Sequence, residues 1–160
     1  MDKGDYSAMA LLRNIGPEPL SDDFHLKLFA EVLAKKSRKI KEVLLEQYAV
    51  AGVGNIYADE SLWLAKIHPA MPSNQLSKAQ SKRLFEAIKH VMHRAVEAGG
   101  STLSDKTYQQ PSGKPGYFQL EHNVYDRKGK PCNRCGGEIQ KIVLAARGTH
   151  FCPKCQAAPQ

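Results

Sequence analysis

Four cysteines stand as two pairs, Cys132 with Cys135 and Cys152 with Cys155, and sixteen residues separate the pairs. The pattern is C-x2-C-x16-C-x2-C, a spacing that suits a tetrahedral zinc site. Two thiolates two residues apart can grip one metal from a tight turn, and Gly136 permits the positive φ such a turn needs. The competing readings are two disulfides, or free thiols that happen to be close. No cysteine lies outside the cluster and no secretory signal precedes it, so one structural Zn2+ held by all four is the expectation.

Other residues could meet a phosphate. Gly52, Val53, Gly54 and Asn55 precede a helix, where exposed N–H groups and the helix dipole attract anions. The rival reading is a tight turn with Asn55 as a simple N-cap. Arg147 and Gly148 lie where a hairpin between the cysteine pairs should turn, so the guanidinium would project from a rigid tip, either as a phosphate ligand or as an ordinary solvated arginine. Lys35, Lys36, Arg38, Lys39 and Lys41 form a basic run whose usual explanation is a solvated face, with a DNA-facing surface as its rival. The histidines at 25, 68, 90, 93, 122 and 150 have no metal-ligand spacing and read as core or surface residues. No nucleophile-elbow serine or glycine-bounded carboxylate pair is evident. The amine of Met1 sits on a tail, a poor place for preorganised chemistry.

The elements that must position these groups follow from pattern. Of 160 residues, 42% are hydrophobic and 24% charged, enough for a globular core, and the net charge of +7 favours a polyanionic partner without requiring one. No apolar run is long enough to cross a membrane. Residues 1–20 read as a tail. Ser21 offers an N-cap for a helix over 21–34, with Asp22 and Asp23 in its first turn and Phe24, Leu28, Phe29 and Val32 as its stripe. A second helix spans 38–47, with Ile40, Val43, Leu44 and Leu45 apolar, and a third spans 56–66. Ser77 and Gln80 form a capping box opening a long helix with Leu84, Ile88, Val91, Met92 and Ala95 buried, ended by Gly99 and Gly100. Residues 101–121 have no clear period and carry Lys114 beside Tyr117 and Phe118; so long a loop tends to be functional or disordered. Short strands are expected at 124–125, 138–145 and 149–151. The chain is thus mainly α with a small β module, divided at 1–20, 21–100, 101–121 and 122–160.

Taken together, AGVGNIYADESLW (residues 51–63), GGSTL (99–103), SGKPGYF (112–118), VYDRKGKPC (124–132) and ARGTHFCPKC (146–155) closely resemble the C-terminal half of the bacterial formamidopyrimidine-DNA glycosylases, oxidised-purine repair enzymes. The resemblance covers residues 14 to 156. It implies a helix–two-turn–helix domain over 21–100 followed by a four-cysteine zinc finger on a β-hairpin.

It also implies roles. Asn55, with Gly54, would bind backbone phosphates around a damaged nucleotide, and Arg147 would clamp the same stretch. Lys41 matches a basic residue near the lesion. The segment holding Lys114, Tyr117 and Phe118 matches a loop that closes over the extruded base, a base that such enzymes must take out of the stack. Asp126 departs from the family, which more often has glycine there. So does the start of the chain: the family's N-terminal proline nucleophile and its neighbouring glutamate are absent, and the chain alone is expected to be inactive as a glycosylase or AP lyase. The implied partner is double-stranded DNA, preferably damaged or abasic, bound by a monomer in the bacterial cytoplasm and nucleoid. The alternative is a stand-alone zinc-ribbon and helical module for RNA or DNA outside repair.

Overall fold

The computed structural model of the chain describes residues 16–98 and 122–159. Gly99, Gly100, Lys114, Tyr117 and Phe118 therefore lie outside the described residues. Helices α1 (Leu26–Ala34), α2 (Ile40–Leu45), α3 (Asn55–Ala65) and α4 (Lys78–Glu97) are followed by one antiparallel hairpin, β1 (Gln140–Leu144) and β2 (Arg147–Phe151).

Helix α1 starts later than its stripe predicts. The Ser21 hydroxyl and amide both donate to the Glu18 carbonyl, at 2.9 and 3.1 Å, and the Phe24 amide then donates to Ser21. Ser21 thus closes a turn instead of capping a helix, and the N-cap falls to His25. Phe24, Phe29 and Leu33 are buried while Leu28 is 42% exposed. Helix α2 is shorter than expected but buries Ile40, Val43 and Leu44 completely. In α4 the capping box is formed: the Gln80 amide donates to Ser77 Oγ at 3.0 Å, and the Ser77 amide to Gln80 Oε1 at 2.8 Å. Leu84, Ile88, Met92 and Ala95 face inward, whereas Val91, expected in the same stripe, is only half-buried.

Helix α3 is the central element. Ala58, Asp59, Glu60, Ser61, Leu62, Trp63 and Ala65 are all buried, so it is covered on every side. Leu62 and Ala58 join the large apolar cluster with α1, α2 and α4, whereas Trp63 joins a second cluster with Val124, Cys132, Ile139 and Cys152. One helix therefore belongs to both cores. Four of its side chains, Asn55, Asp59, Glu60 and Trp63, bind the C-terminal module directly. Glu60 accepts the backbone N–H groups of Asn123, Val124 and Tyr125 at 2.8–2.9 Å. That contact explains why 124–125 forms a turn, closed by the Arg127 amide on the Val124 carbonyl, and not the expected strand: its donors are already taken. Asp126, which stands where glycine is the commoner residue of the resembled family, has φ 62°, a left-handed position that aspartate tolerates better than most residues.

The hairpin pairs Gln140 with Phe151 through to Leu144 with Arg147. Its two turn residues, Ala145 and Ala146, have φ of 56° and 62°. A two-residue type I′ turn needs positive φ at both positions, and it favours asparagine and glycine over alanine. No helix among the described residues is long and apolar enough to cross a membrane.

Candidate nucleic-acid interface and metal centre

The N-terminus of α3 and the start of β2 meet at one backbone oxygen; Arg147 and Gly148 are the first strand residues after the Ala145–Ala146 turn and not, as the spacing suggested, the turn itself. The Gly148 carbonyl accepts Asn55 Nδ2 at 3.1 Å and Lys41 Nζ at 3.0 Å. Arg147, the residue before it, is exposed. Gly54 is the N-cap of α3 and no side chain caps it, so Asn55 is the first helical residue and does not act as the simple cap. A Cβ added to Gly54 would meet nothing within 4 Å, which leaves the space before the helix end open. The positive end of an eleven-residue helix thus opens beside the hairpin strand that carries Arg147, whose side chain borders a cleft with Arg38, Glu42 and Glu46 of the α2 region.

The loop leading to this end is held by a residue with no obvious role in the sequence. Gln47, itself at φ 70°, takes the Gly52 amide on its Oε1 at 2.6 Å and donates from Nε2 to the Val53 carbonyl at 3.1 Å. Gly52 has φ 82°.

The basic run is not a uniform solvated face. Lys41 is fully buried, with Nζ 2.8 Å from Asp59 Oδ1, 2.8 Å from Thr149 Oγ1 and 3.0 Å from the Gly148 carbonyl. Three acceptors use all its donors, so it meets no solvent phosphate in this arrangement. Burial pushes its pKa below the usual lysine value, against the pull of Asp59, and Arg147 pushes the same way as burial. Lys36 lies 4.3 Å from the Tyr48 ring centroid, and Arg38 pairs with Glu42 and Glu46. Sequence pattern hides this because the acceptors for Lys41 on the hairpin come from residues over a hundred positions away.

Beneath the hairpin, Asp59 accepts the His150 amide at 2.9 Å and lies 3.2 Å from His150 Nδ1. His150 is buried, as a core histidine should be. Gln156, fully buried, accepts the Cys152 amide at 2.8 Å and donates to the Ile67 carbonyl at 2.9 Å. Periodicity does not reveal either contact. The only local hint is three polar residues, 59–61, inside an otherwise apolar helix.

The four cysteine sulfurs lie within 4.8 Å of one another, with Cys132–Cys155 at 3.8 Å and Cys135–Cys152 at 3.4 Å. Tetrahedral Zn–S bonds of about 2.3 Å require sulfur separations of about 3.8 Å, so the set fits one structural zinc ion. Gly136 has φ 79°, as the knuckle turn demands. Burial alone would raise the Cys132 pKa, but the backbone of Cys135 and Arg134 and the Trp63 indole donate to its sulfur and bring it down to about 6. Cys152 is pushed up to about 12, first by burial and then by its neighbours Cys135 and Cys132. Crowded together, the four ionise fully only when a cation replaces their protons. Trp63 Nε1 sits 3.3 Å from Cys132 Sγ, and the Arg134 guanidinium covers the indole at 3.9 Å while its Nε donates to Cys155 at 3.2 Å. Four thiolates leave no open coordination position, so this metal braces the hairpin and does no chemistry on a ligand.

Fold and site together define a helix–two-turn–helix unit that carries a four-thiolate zinc finger. The family model described as the formamidopyrimidine-DNA glycosylase H2TH domain matches residues 15–107, and that of the zinc finger found in FPG and IleRS matches residues 129–158. The chain is 49% identical over 154 residues to the formamidopyrimidine-DNA glycosylase of Thermus thermophilus, covering 96% of this chain and 58% of that protein. With the Deinococcus radiodurans enzyme it shares 52% over 155 residues, or 96% and 54% of the two chains. The crystal structure of MutM (FPG) from Thermus thermophilus superposes with a TM-score of 0.83 at 48% identity, covering 98% of this chain and 59% of that one. A complex of Lactococcus lactis Fpg with abasic-site DNA gives 0.83 at 47%, covering 97% and 55%. The chain belongs to the formamidopyrimidine-DNA glycosylase family. It spans between half and three fifths of the length of these relatives.

Proposed function

We propose that this chain grips the phosphate backbone of duplex DNA at a damaged or abasic nucleotide, as the DNA-binding part of a base-excision repair glycosylase. The observation that carries the reading is the bond from Asn55 to Gly148, next in sequence to the exposed Arg147, at the open N-terminus of α3. Asn55 keeps one amide hydrogen for a phosphate oxygen once the other is spent on Gly148. Arg147 adds a charged fork from the braced hairpin, and the exposed N-cap Gly54 lets a phosphate approach the helix end closely. Lys41 contributes from below, by holding the Gly148 carbonyl. The net charge of +7 favours the encounter.

The Lactococcus lactis relative in complex with abasic-site DNA supports the choice of partner, and further support comes from the Lys114, Tyr117 and Phe118 motif, to which we assign the role of covering the extruded base. The chain acts as a monomer in the bacterial cytoplasm, on the nucleoid. Gel-shift titration of the zinc-loaded chain tests the reading with three probes: a duplex bearing an abasic analogue, the intact duplex, and a structured RNA. The expected order of affinity is abasic over intact duplex over RNA. Tighter binding to RNA would overturn it in favour of a stand-alone module.

A further inference from the structure

Asp59 is 1% exposed, in the middle of α3, and is too deep to reach a ligand at the surface. A buried carboxylate persists only where charge and hydrogen bonds offset its lost hydration. Its two oxygens have different partners. Oδ1 holds the Lys41 ammonium at 2.8 Å, and Oδ2 takes the His150 amide at 2.9 Å with His150 Nδ1 at 3.2 Å. Lys41 in turn spends its other donors on the Gly148 carbonyl and on Thr149 Oγ1, and the Thr149 hydroxyl bonds the Arg147 carbonyl at 3.1 Å. Arg147, Gly148, Thr149 and His150 are consecutive. Each is tied to Asp59, directly or through Lys41 and its neighbours.

The helix side of the arrangement is equally specific. Asn55 and Asp59 are four residues apart in α3, so they stand on the same face, one turn above the other. The hairpin strand therefore runs along that face with Asp59 fixing its inner end and Asn55 meeting its outer end. An apolar pair at 41 and 59 would fill the same space without the cost of burying charge, but it would supply none of these directional bonds.

We propose that Asp59 is the positioning residue of the phosphate grip: it sets the Arg147–His150 backbone over the N-terminus of α3, so that the Arg147 guanidinium and the Asn55 amide address one phosphate path. The proposal rests on the phosphate-binding reading above and adds a residue that does not itself touch DNA.

Two variants of the whole zinc-loaded chain test it. One is Asp59→Asn; the other is the paired change Asp59→Leu with Lys41→Met, which removes both buried charges and keeps the fold where the single change strands Lys41. Each is titrated against a duplex carrying a tetrahydrofuran abasic analogue over a range of salt, with and without Arg147→Ala. Zinc content and helical melting are followed alongside. We expect binding to weaken about tenfold, and the slope of log affinity against log salt to become shallower by about one. Arg147→Ala should then cost less than about twofold in the altered background against its full effect in the parent, because an arginine already off the path has little left to lose. A paired variant that retains zinc with parental affinity and slope overturns the proposal. So does an Arg147→Ala effect of equal size in both backgrounds, which leaves the phosphate-binding reading intact. An Arg147→Ala change with no effect in the parent removes that reading, and the positioning role with it.

Discussion

The side-chain amide of Asn55 donates to the Gly148 carbonyl at 3.1 Å, across 93 residues of sequence. The bond fixes which end of the amide faces the hairpin, since a rotated Asn55 would set its own oxygen against the carbonyl. It also joins the two elements that the phosphate grip requires, a helix end and the first residues of β2.

Arg147→Ala and Asn55→Ala should weaken binding to duplex DNA in different ways. Loss of Arg147 removes a charge at the backbone, so the salt slope should fall by about one unit and the loss should be similar for all sequences. Asn55 is neutral, so its loss should lower affinity with an unchanged slope. Titrations at several salt concentrations separate the two, and parallel slopes for Arg147→Ala and the parent would count against a phosphate contact.

Chelating the zinc should unfold residues 122–159 and leave the helices. Structural zinc in finger peptides is worth roughly 10–16 kcal/mol, far more than the small cluster around Val124 and Ile139 supplies. Trp63 is the chain's single tryptophan and its indole bonds Cys132, so its emission reports the change. We expect the fluorescence to shift while far-UV helical ellipticity largely persists. Unaltered emission after complete zinc removal would show that the hairpin stands without metal.

Ala146→Gly should stabilise the hairpin. Alanine at φ 62° is disfavoured by roughly 1–2 kcal/mol, a cost glycine avoids in the folded state and partly returns as greater unfolded-state entropy. The net gain should be about 0.5–1 kcal/mol, read from denaturant midpoints of the zinc-loaded protein. A loss of stability would mean that the turn differs in solution.

Acid should weaken the fold partly through His68. Burial lowers its pKa, and its Nδ1 must stay unprotonated to accept the Ala70 amide at 3.0 Å. In the unfolded chain it takes a proton near 6.5, so below about 6.5 and down to the lower folded value the unfolded state holds more protons. Stability therefore falls as the pH drops through that window. His68→Asn, which keeps an acceptor and cannot titrate, should lose less stability than the parent between pH 7 and pH 5. Equal losses would exclude His68 as a source of acid sensitivity.

What the sequence made legible was local. The cysteine spacing, the Ser77–Gln80 box and the stripes of α2 and α4 are set by residues a few positions apart, and each reappears in the fold. Ser21 misled because Glu18, three residues earlier, competes for its hydroxyl and amide. The failures at Lys41 and at 124–125 have another origin. Lys41 looks like one solvated cation among five until Asp59 and the hairpin close over it, and Val124 looks like a strand residue until Glu60 takes its amide. The metal ligands declared themselves, whereas Asp59, Glu60, Gln47 and Gln156, which orient the site, did not. Their partners come together only in the folded chain.

A phosphate path shared by Arg147 and Asn55 is tested most sharply by placing the perturbation on the DNA. In an abasic-analogue duplex, each phosphate near the lesion is replaced in turn by an uncharged methylphosphonate, and affinity is measured for the parent, Arg147→Ala and Asn55→Ala. One or two adjacent replacements should abolish the effect of both substitutions, because both side chains address the same stretch of backbone. Coupling of the two residues to separate, distant phosphates, or to none, would contradict the shared path.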